Sequence, residues 1–127
     1  MLTKREIAKS YLDLLAKADI TELLGLFDTN ATVDSPIYGT KNAKLFYTEL
    51  FDDTNNSSLY LKGIFEDSDT GDLALFFSYG WTMSNGKHVN FDVVDILRFT
   101  QDLKILSLQI IYDTVQSRAM IEDLRVT

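Results

Sequence analysis

Along the first quarter of the chain, apolar side chains return every three or four positions. Ile7, Ala8, Tyr11, Leu14 and Leu15 form one such stripe, the spacing of a helix with one buried face. Thr3 with Glu6 three residues later is a capping box that starts it. Asp19 with Glu22 offers a second box before Leu23, Leu24, Leu26 and Phe27. Two helices with a break near Ala18-Asp19 are predicted. Ala31-Thr32-Val33 is a short strand ended by Asp34-Ser35-Pro36, because a proline bars the α region for Ser35 and removes an amide. After Gly39, Thr40 can cap a helix from Lys41 to Phe51, with Phe46, Tyr47 and Leu50 among its apolar positions. The polar run 52–58 reads as a loop.

The remainder alternates with the two-residue period of strands. Leu59–Glu66 ends at the turn cluster 67–72, and Leu73–Met83 is long, apolar and aromatic. Asn85-Gly86 is a strong hairpin signal for a two-residue turn, with His88–Phe99 as the return strand. Leu103–Tyr112 is the last strand, and Asp113 or Thr114 caps a C-terminal helix. Helices segregated from an antiparallel meander predict one α+β domain over residues 1–127, a curved antiparallel sheet with the N-terminal helices over its concave face. Counting by twos, Phe91, Val93, Asp95, Leu97 and Phe99 share the inner face, with Leu108, Ile110 and Tyr112 beside them. A two-residue turn sets Ser78, Gly80 and Thr82 on that inner face. Phe77, Tyr79, Trp81 and Met83 then face outward, a patch too apolar for water. A homodimer packed sheet against sheet through these four is expected, or a terminal helix that covers them.

Composition narrows the chemistry. With no cysteine and one histidine, disulfides, thiolate nucleophiles, thiolate zinc sites and histidine-built metal centres are excluded, and no metal or cofactor is expected. Nineteen acidic against twelve basic residues leave a net charge of -7, which argues against nucleic acid as a partner. No apolar run approaches the ~20 residues of a membrane span, and the N-terminus is unlike a signal peptide. A cytoplasmic location is the expectation, with no membrane partner.

What remains for chemistry is carboxylate and phenol. Asp95 lies between apolar neighbours on its face, so burial would favour its neutral, hydrogen-bond-donating form. Tyr11, on the inner stripe of the first helix, is a second donor. Aimed at one point, the two make an oxyanion site. The simpler alternative is that Asp95 bonds backbone and Tyr11 is a core aromatic. Tyr38 can lie over the cavity mouth or pack on the next helix. His88, beside the hairpin turn, reads as solvated.

Several stretches are similar to those of a known superfamily. They are Tyr11-Leu12, Leu15-Ala16-Lys17-Ala18-Asp19, Leu26-Phe27, Ala31-Thr32-Val33-Asp34-Ser35-Pro36 and Val94-Asp95-Ile96-Leu97-Arg98-Phe99. On these residues the chain resembles the ketosteroid isomerase, SnoaL-like and nuclear transport factor 2 superfamily over most of its length. The resemblance implies that Tyr11 matches the catalytic tyrosine and Asp95 the protonated aspartic acid of an oxyanion hole. The general base of that family precedes the proline, where this chain has Ser35. Asp34 could substitute only if a bulge turned it inward. Arg98 with Asp95 or Asp92 is similar to the Asp-Arg-Asp set of limonene-epoxide hydrolases, although Arg98 and Asp95 differ in strand parity. Tyr112-Asp113-Thr114 with Arg118 resembles a SnoaL-like stretch that helix capping also explains.

Three functions follow. The first is an isomerase, cyclase or hydrolase acting on a small apolar oxygen-bearing ligand through Tyr11, Asp95 and Asp34. Its ligand would be held by Ser35, Tyr38, Phe91, Val93, Leu97, Phe99, Leu108, Ile110 and Tyr112. The second is a non-catalytic binding module for such a ligand. The third is a dimeric protein-interaction domain.

Overall fold

A computed structural model describes residues 2–126. The elements run α1 (Lys4–Lys17), α2 (Ile20–Leu24), β1 (Phe27–Ser35), β2 (Gly39–Asn42), α3 (Ala43–Asp52), β3 (Thr54–Glu66), β4 (Leu73–Met83), β5 (His88–Phe99), β6 (Ile105–Ile111) and α4 (Val115–Val126). Six strands form one curved sheet in the order β2-β1-β6-β5-β4-β3. The fold is α+β with α1 and α3 over the inner face. The sheet is mixed rather than antiparallel throughout, because β1 pairs β6 in parallel. Those two strands are far apart in sequence, so no hairpin turn constrains their direction.

Local chemistry sets the helix ends. Thr3 and Glu6 make both bonds of the capping box, and Ala18 closes α1 in the left-handed conformation. Asp19 caps α2 by accepting the Glu22 amide at 3.2 Å. The third helix starts later than the Thr40 signal suggests. Asn42 is its cap, accepting the Lys44 amide at 2.9 Å, and residues 39–42 instead pair with β1. Residues 54–58 are strand rather than loop. They are polar because β3 is the sheet edge, where one row of backbone groups faces solvent.

The β4–β5 hairpin differs by one residue from the sequence expectation, and the difference inverts β4. The Gly86 amide donates to the Met83 carbonyl, and the Met83 amide donates to the Lys87 carbonyl. The loop is therefore three residues, 84–86, with Gly86 alone at positive φ, +87°. This register pairs Leu75 with Asp95, Phe77 with Val93, Tyr79 with Phe91 and Trp81 with Val89. A one-residue slip moves every side chain to the other face.

Phe77, Tyr79, Trp81 and Met83 consequently lie on the concave side, buried within one chain. The interface expected through them is corrected: they are core and cavity wall, beneath α1 and α3. The convex face of β4 carries Phe76, Ser78, Gly80 and Thr82 instead. There Lys62 pairs with Asp92 at 2.9 Å and lies over the Phe76 ring.

The last helix ties together three places on the rim. Arg118 donates to the Pro36 carbonyl at 2.8 Å. Lys87 on the β4–β5 loop forms an ion pair with Asp123. Arg125 makes a two-pronged pair with Asp53 at 2.9 and 2.7 Å. Met120 and Ile121 add apolar contacts to the core. No helix among the described residues is long and apolar enough to cross a membrane.

The register argument predicts a cost at Gly86. A Cβ there would meet nothing within 4 Å, so Gly86→Ala is penalised only through its backbone conformation. A loss of about 1 kcal/mol is expected in urea unfolding. An unchanged midpoint would contradict a left-handed residue at this position.

Candidate functional site

Between sheet and helices lies a cavity of about 50 Å³, room for roughly four waters. A molecule the size of a single ring fits that space, whereas a multi-ring skeleton does not. From α1 come Tyr11 and Leu15; from α3, Phe46 and Leu50; from β4, Phe77, Tyr79 and Trp81. Phe91, Val93 and Asp95 on β5 complete the wall with Ser35, Tyr38, Ile110 and Tyr112.

One side is a sequence of stacked rings. Tyr79 lies parallel to Phe91 at 5.4 Å between centroids, and Phe91 to Tyr112 at 4.4 Å. This wall favours a flat apolar ligand. The Tyr79 hydroxyl lies 2.9 Å from Ser57 Oγ, and burial raises its pKa to about 12. The Trp81 ring nitrogen donates to Thr54 Oγ1 at 2.8 Å. Both polar tips are held by the edge strand β3.

On the helical side, Tyr11 and Tyr47 bring their hydroxyls to 2.7 Å. They are 1% and 0% exposed. Burial pushes both phenols well above their usual pKa, so each is a neutral donor at ordinary pH. Tyr11 lines the cavity and Tyr47 lies behind it. When an acceptor occupies the cavity, Tyr47 can donate to Tyr11 and Tyr11 to the ligand. Both protons are then used.

Asp95 is the anomaly. It is 2% exposed, forms no hydrogen bond with any described residue, and its buried Oδ1 has no partner. Burial raises its pKa well above the usual carboxylate range. An ionised carboxylate here would be unpaired in an apolar setting, at a cost far above that of the neutral acid. The acid is therefore protonated and can donate.

Ser35 is also on the wall. Its Oγ accepts the Ile37 amide at 3.3 Å and the Tyr38 amide at 3.2 Å. Tyr38 spans the cavity edge and donates its hydroxyl to Asp53 Oδ2 at 2.7 Å. Burial raises the Tyr38 pKa, reinforced by that bond. Burial alone would raise Asp53 as well, but its bonds to Arg125 and Tyr38 outweigh this and hold it below its ordinary value. The cavity rim and α4 thus share one ion pair.

Several expected site residues lie elsewhere. Asp34 is exposed on the convex side, accepting from Thr40 Oγ1 at 3.1 Å. The register shift in β1 falls between Phe27 and Thr32, too early to turn Asp34 inward. Leu97 and Leu108 face inward but are fully packed in the core beyond Asp95. Phe99 follows a register shift after Arg98 and lies half-buried under Lys4. None of these three lines the cavity.

Arg98 faces outward toward Asp72 at 3.7 Å, so the sheet separates it and Asp92 from Asp95. His88 bonds Thr82 and Asn90 on the exposed face. No cluster of three or more potential metal-binding residues occurs among the described residues. The residues that sequence reasoning did not assign to the cavity are Leu15, Phe46, Leu50, Phe77, Tyr79 and Trp81, with Tyr47 behind it. For the β4 residues a signal existed. Odd positions 73–83 are all large and apolar, whereas Ala74, Ser78, Gly80 and Thr82 are not.

This cone, with its helices over a curved six-stranded sheet, has close counterparts among solved structures. An NTF2-like protein of unknown function from Burkholderia pseudomallei superposes with a TM-score of 0.80 at 14% identity, over 95% of this chain and 98% of that one. The fold is that of the nuclear transport factor 2-like proteins. TerC, co-crystallised with polyporic acid, gives a TM-score of 0.77 at 19% identity over 94% and 98% of the two chains. SalBIII, an epoxide hydrolase/cyclase-like enzyme with a role in pyran-ring formation in the polyether salinomycin, gives 0.75 at 19% identity over 87% and 90%. No family model and no curated protein sequence matches the chain. Within the nuclear transport factor 2-like cone, the cavity chemistry is therefore read from this chain's own residues.

The neutral state of Asp95 has a measurable consequence. Its pKa is raised on folding, so the unfolded chain loses the proton first and stability falls as pH rises above about 4. Asp95→Asn removes that dependence. The variant should exceed the parent in stability at pH 7 by more than about 1 kcal/mol, with the gap shrinking toward pH 3. A gap independent of pH would contradict a protonated Asp95.

Proposed function

We propose that the chain binds a small apolar ligand through an oxygen atom and polarises that oxygen with Tyr11 and Asp95. The observation that carries this reading is the Asp95 carboxyl, buried on the cavity wall with no partner. Buried polar groups are nearly always paired, and a ligand acceptor would complete this one. Two neutral donors on one oxygen stabilise the negative charge that develops when a carbonyl enolises or an epoxide opens. The hydrolase/cyclase-like character of SalBIII and the polyporic acid bound to TerC are compatible with that chemistry.

Proton abstraction is the missing half. Among the described residues, no ionised carboxylate or imidazole lines the cavity. Asp34 is outside, and Ser35 is too weak a base to take a proton from carbon. An isomerase, cyclase or hydrolase built on this site would need the base to come from the ligand or from a water. The same absence favours a second reading, a binding module that holds such a ligand without turnover. A protein-interaction role gives no purpose to an orphaned acid inside the cone.

The test uses 2-cyclohexenone, a single-ring ligand whose ultraviolet absorption moves to longer wavelength when its carbonyl accepts hydrogen bonds. Binding with a red-shifted band is expected. Tyr11→Phe and Asp95→Leu should each weaken binding by up to about tenfold, the worth of one hydrogen bond. Binding without a shift, or unaffected by both substitutions, would overturn the proposal.

A further inference from the structure

The cavity holds a second donor, and its direction is set by the backbone. A serine oxygen has two lone pairs and one proton. Both lone pairs of Ser35 Oγ are engaged by the Ile37 and Tyr38 amides. Its proton goes to no described residue. Ser35 is buried and borders the cavity. The hydroxyl can therefore act toward a ligand in one way only, by donating.

The sheet fixes where this donor stands relative to Asp95. Asp34 pairs with Gln109, and Asp95 pairs with Ile110. The register carried one residue on sets Ser35 beside Ile110. Ser35 and Asp95 thus occupy the same rung, two strands apart on the inner face, about 10 Å between Cα atoms. With a hydrogen bond of about 2.8 Å at each end, roughly 4–5 Å remains between the ligand's own acceptors. Oxygens at opposite corners of a six-membered ring have about this separation. The cavity admits one such ring, and the Tyr79-Phe91-Tyr112 wall suits its flat form.

We propose that Ser35 is a specificity-determining donor, and that the ligand class is a single-ring compound with two opposed acceptor oxygens, one on Tyr11 and Asp95 and the other on Ser35. This rests on the Tyr11–Asp95 reading above and adds a second recognition point to it. It also gives the departure from a carboxylate at this position a purpose. An ionised acid at residue 35 would repel the second oxygen, whereas the hydroxyl attracts it.

Cyclohexanone and 1,4-cyclohexanedione test the proposal, since they differ in the second oxygen alone. Binding to the full chain is measured by calorimetry. The dione is expected to bind five- to tenfold tighter, above the twofold that its two equivalent carbonyls give statistically. Ser35→Ala should lose most of that ratio, and Ser35→Thr, which keeps the hydroxyl, should restore it. The parent protein decides the matter even if Ser35→Ala fails to fold. A dione advantage of twofold or less would overturn the role of Ser35 while leaving the first site intact, provided cyclohexanone still binds and weakens in Tyr11→Phe. Failure of cyclohexanone to bind, or binding indifferent to Tyr11→Phe, would overturn the underlying reading. An advantage that survives undiminished in a folded Ser35→Ala would assign the second contact to another residue and overturn the proposal.

Discussion

The site depends on one register, the odd-to-odd pairing of β4 with β5 set by the three-residue loop at Ser84-Asn85-Gly86. It turns Leu73, Leu75, Phe77, Tyr79, Trp81 and Met83 inward with Val89, Phe91, Val93, Asp95 and Leu97. The aromatic wall and the buried acid therefore face one cavity. Shifted by a single residue, the same strands would present serine, glycine and threonine to the helices and leave tryptophan and tyrosine in water. Burial on one face makes that alternative costly.

The inward register also creates the electrostatic character of the site. Every polar group it assembles is a neutral donor: two phenols, a protonated acid and a serine hydroxyl whose lone pairs are occupied. Such a set stabilises charge that forms on a ligand's oxygen without carrying charge itself. The ionised groups stand around it. Asp53 with Arg125 and Tyr38 fastens the rim, and the Lys62–Asp92 pair decorates the convex sheet. The formal charge of -7 counts nineteen acids as ionised; with Asp95 protonated, the folded chain carries one negative charge fewer. That neutral acid lies at the candidate site.

Much of this was legible beforehand, for identifiable reasons. Capping boxes are local, so α1 and α2 could be located from Thr3, Glu6 and Asp19. The inner-face set on β5 followed from strict alternation. The cone fold followed from resemblance spread along the chain. What failed was through-space information that local signals do not carry. Asn-Gly marked the hairpin correctly, but the loop held a third residue, and the faces of β4 were assigned backwards. The alternation within β4 itself was the better guide, since six large apolar residues at odd positions outweigh a turn preference. The Tyr11–Tyr47 bond joins residues 36 apart in sequence, and nothing in either helix pattern announces it. The polarity of 54–58 looked like a loop because an edge strand and a loop share a composition. Leu97 and Leu108 were placed on the right face but at the wrong depth, which alternation alone does not report.

The central claim is that Asp95 is a neutral donor inside the cone. The most direct measurement is a pH titration of its side-chain carboxyl carbon by ¹³C nuclear magnetic resonance, with Asp95→Asn to assign the signal. The account predicts the chemical shift of a protonated acid at neutral pH, with no step near pH 4. A midpoint close to that of an exposed aspartate would mean that the carboxylate ionises within the folded protein. The donor site described here would then not exist.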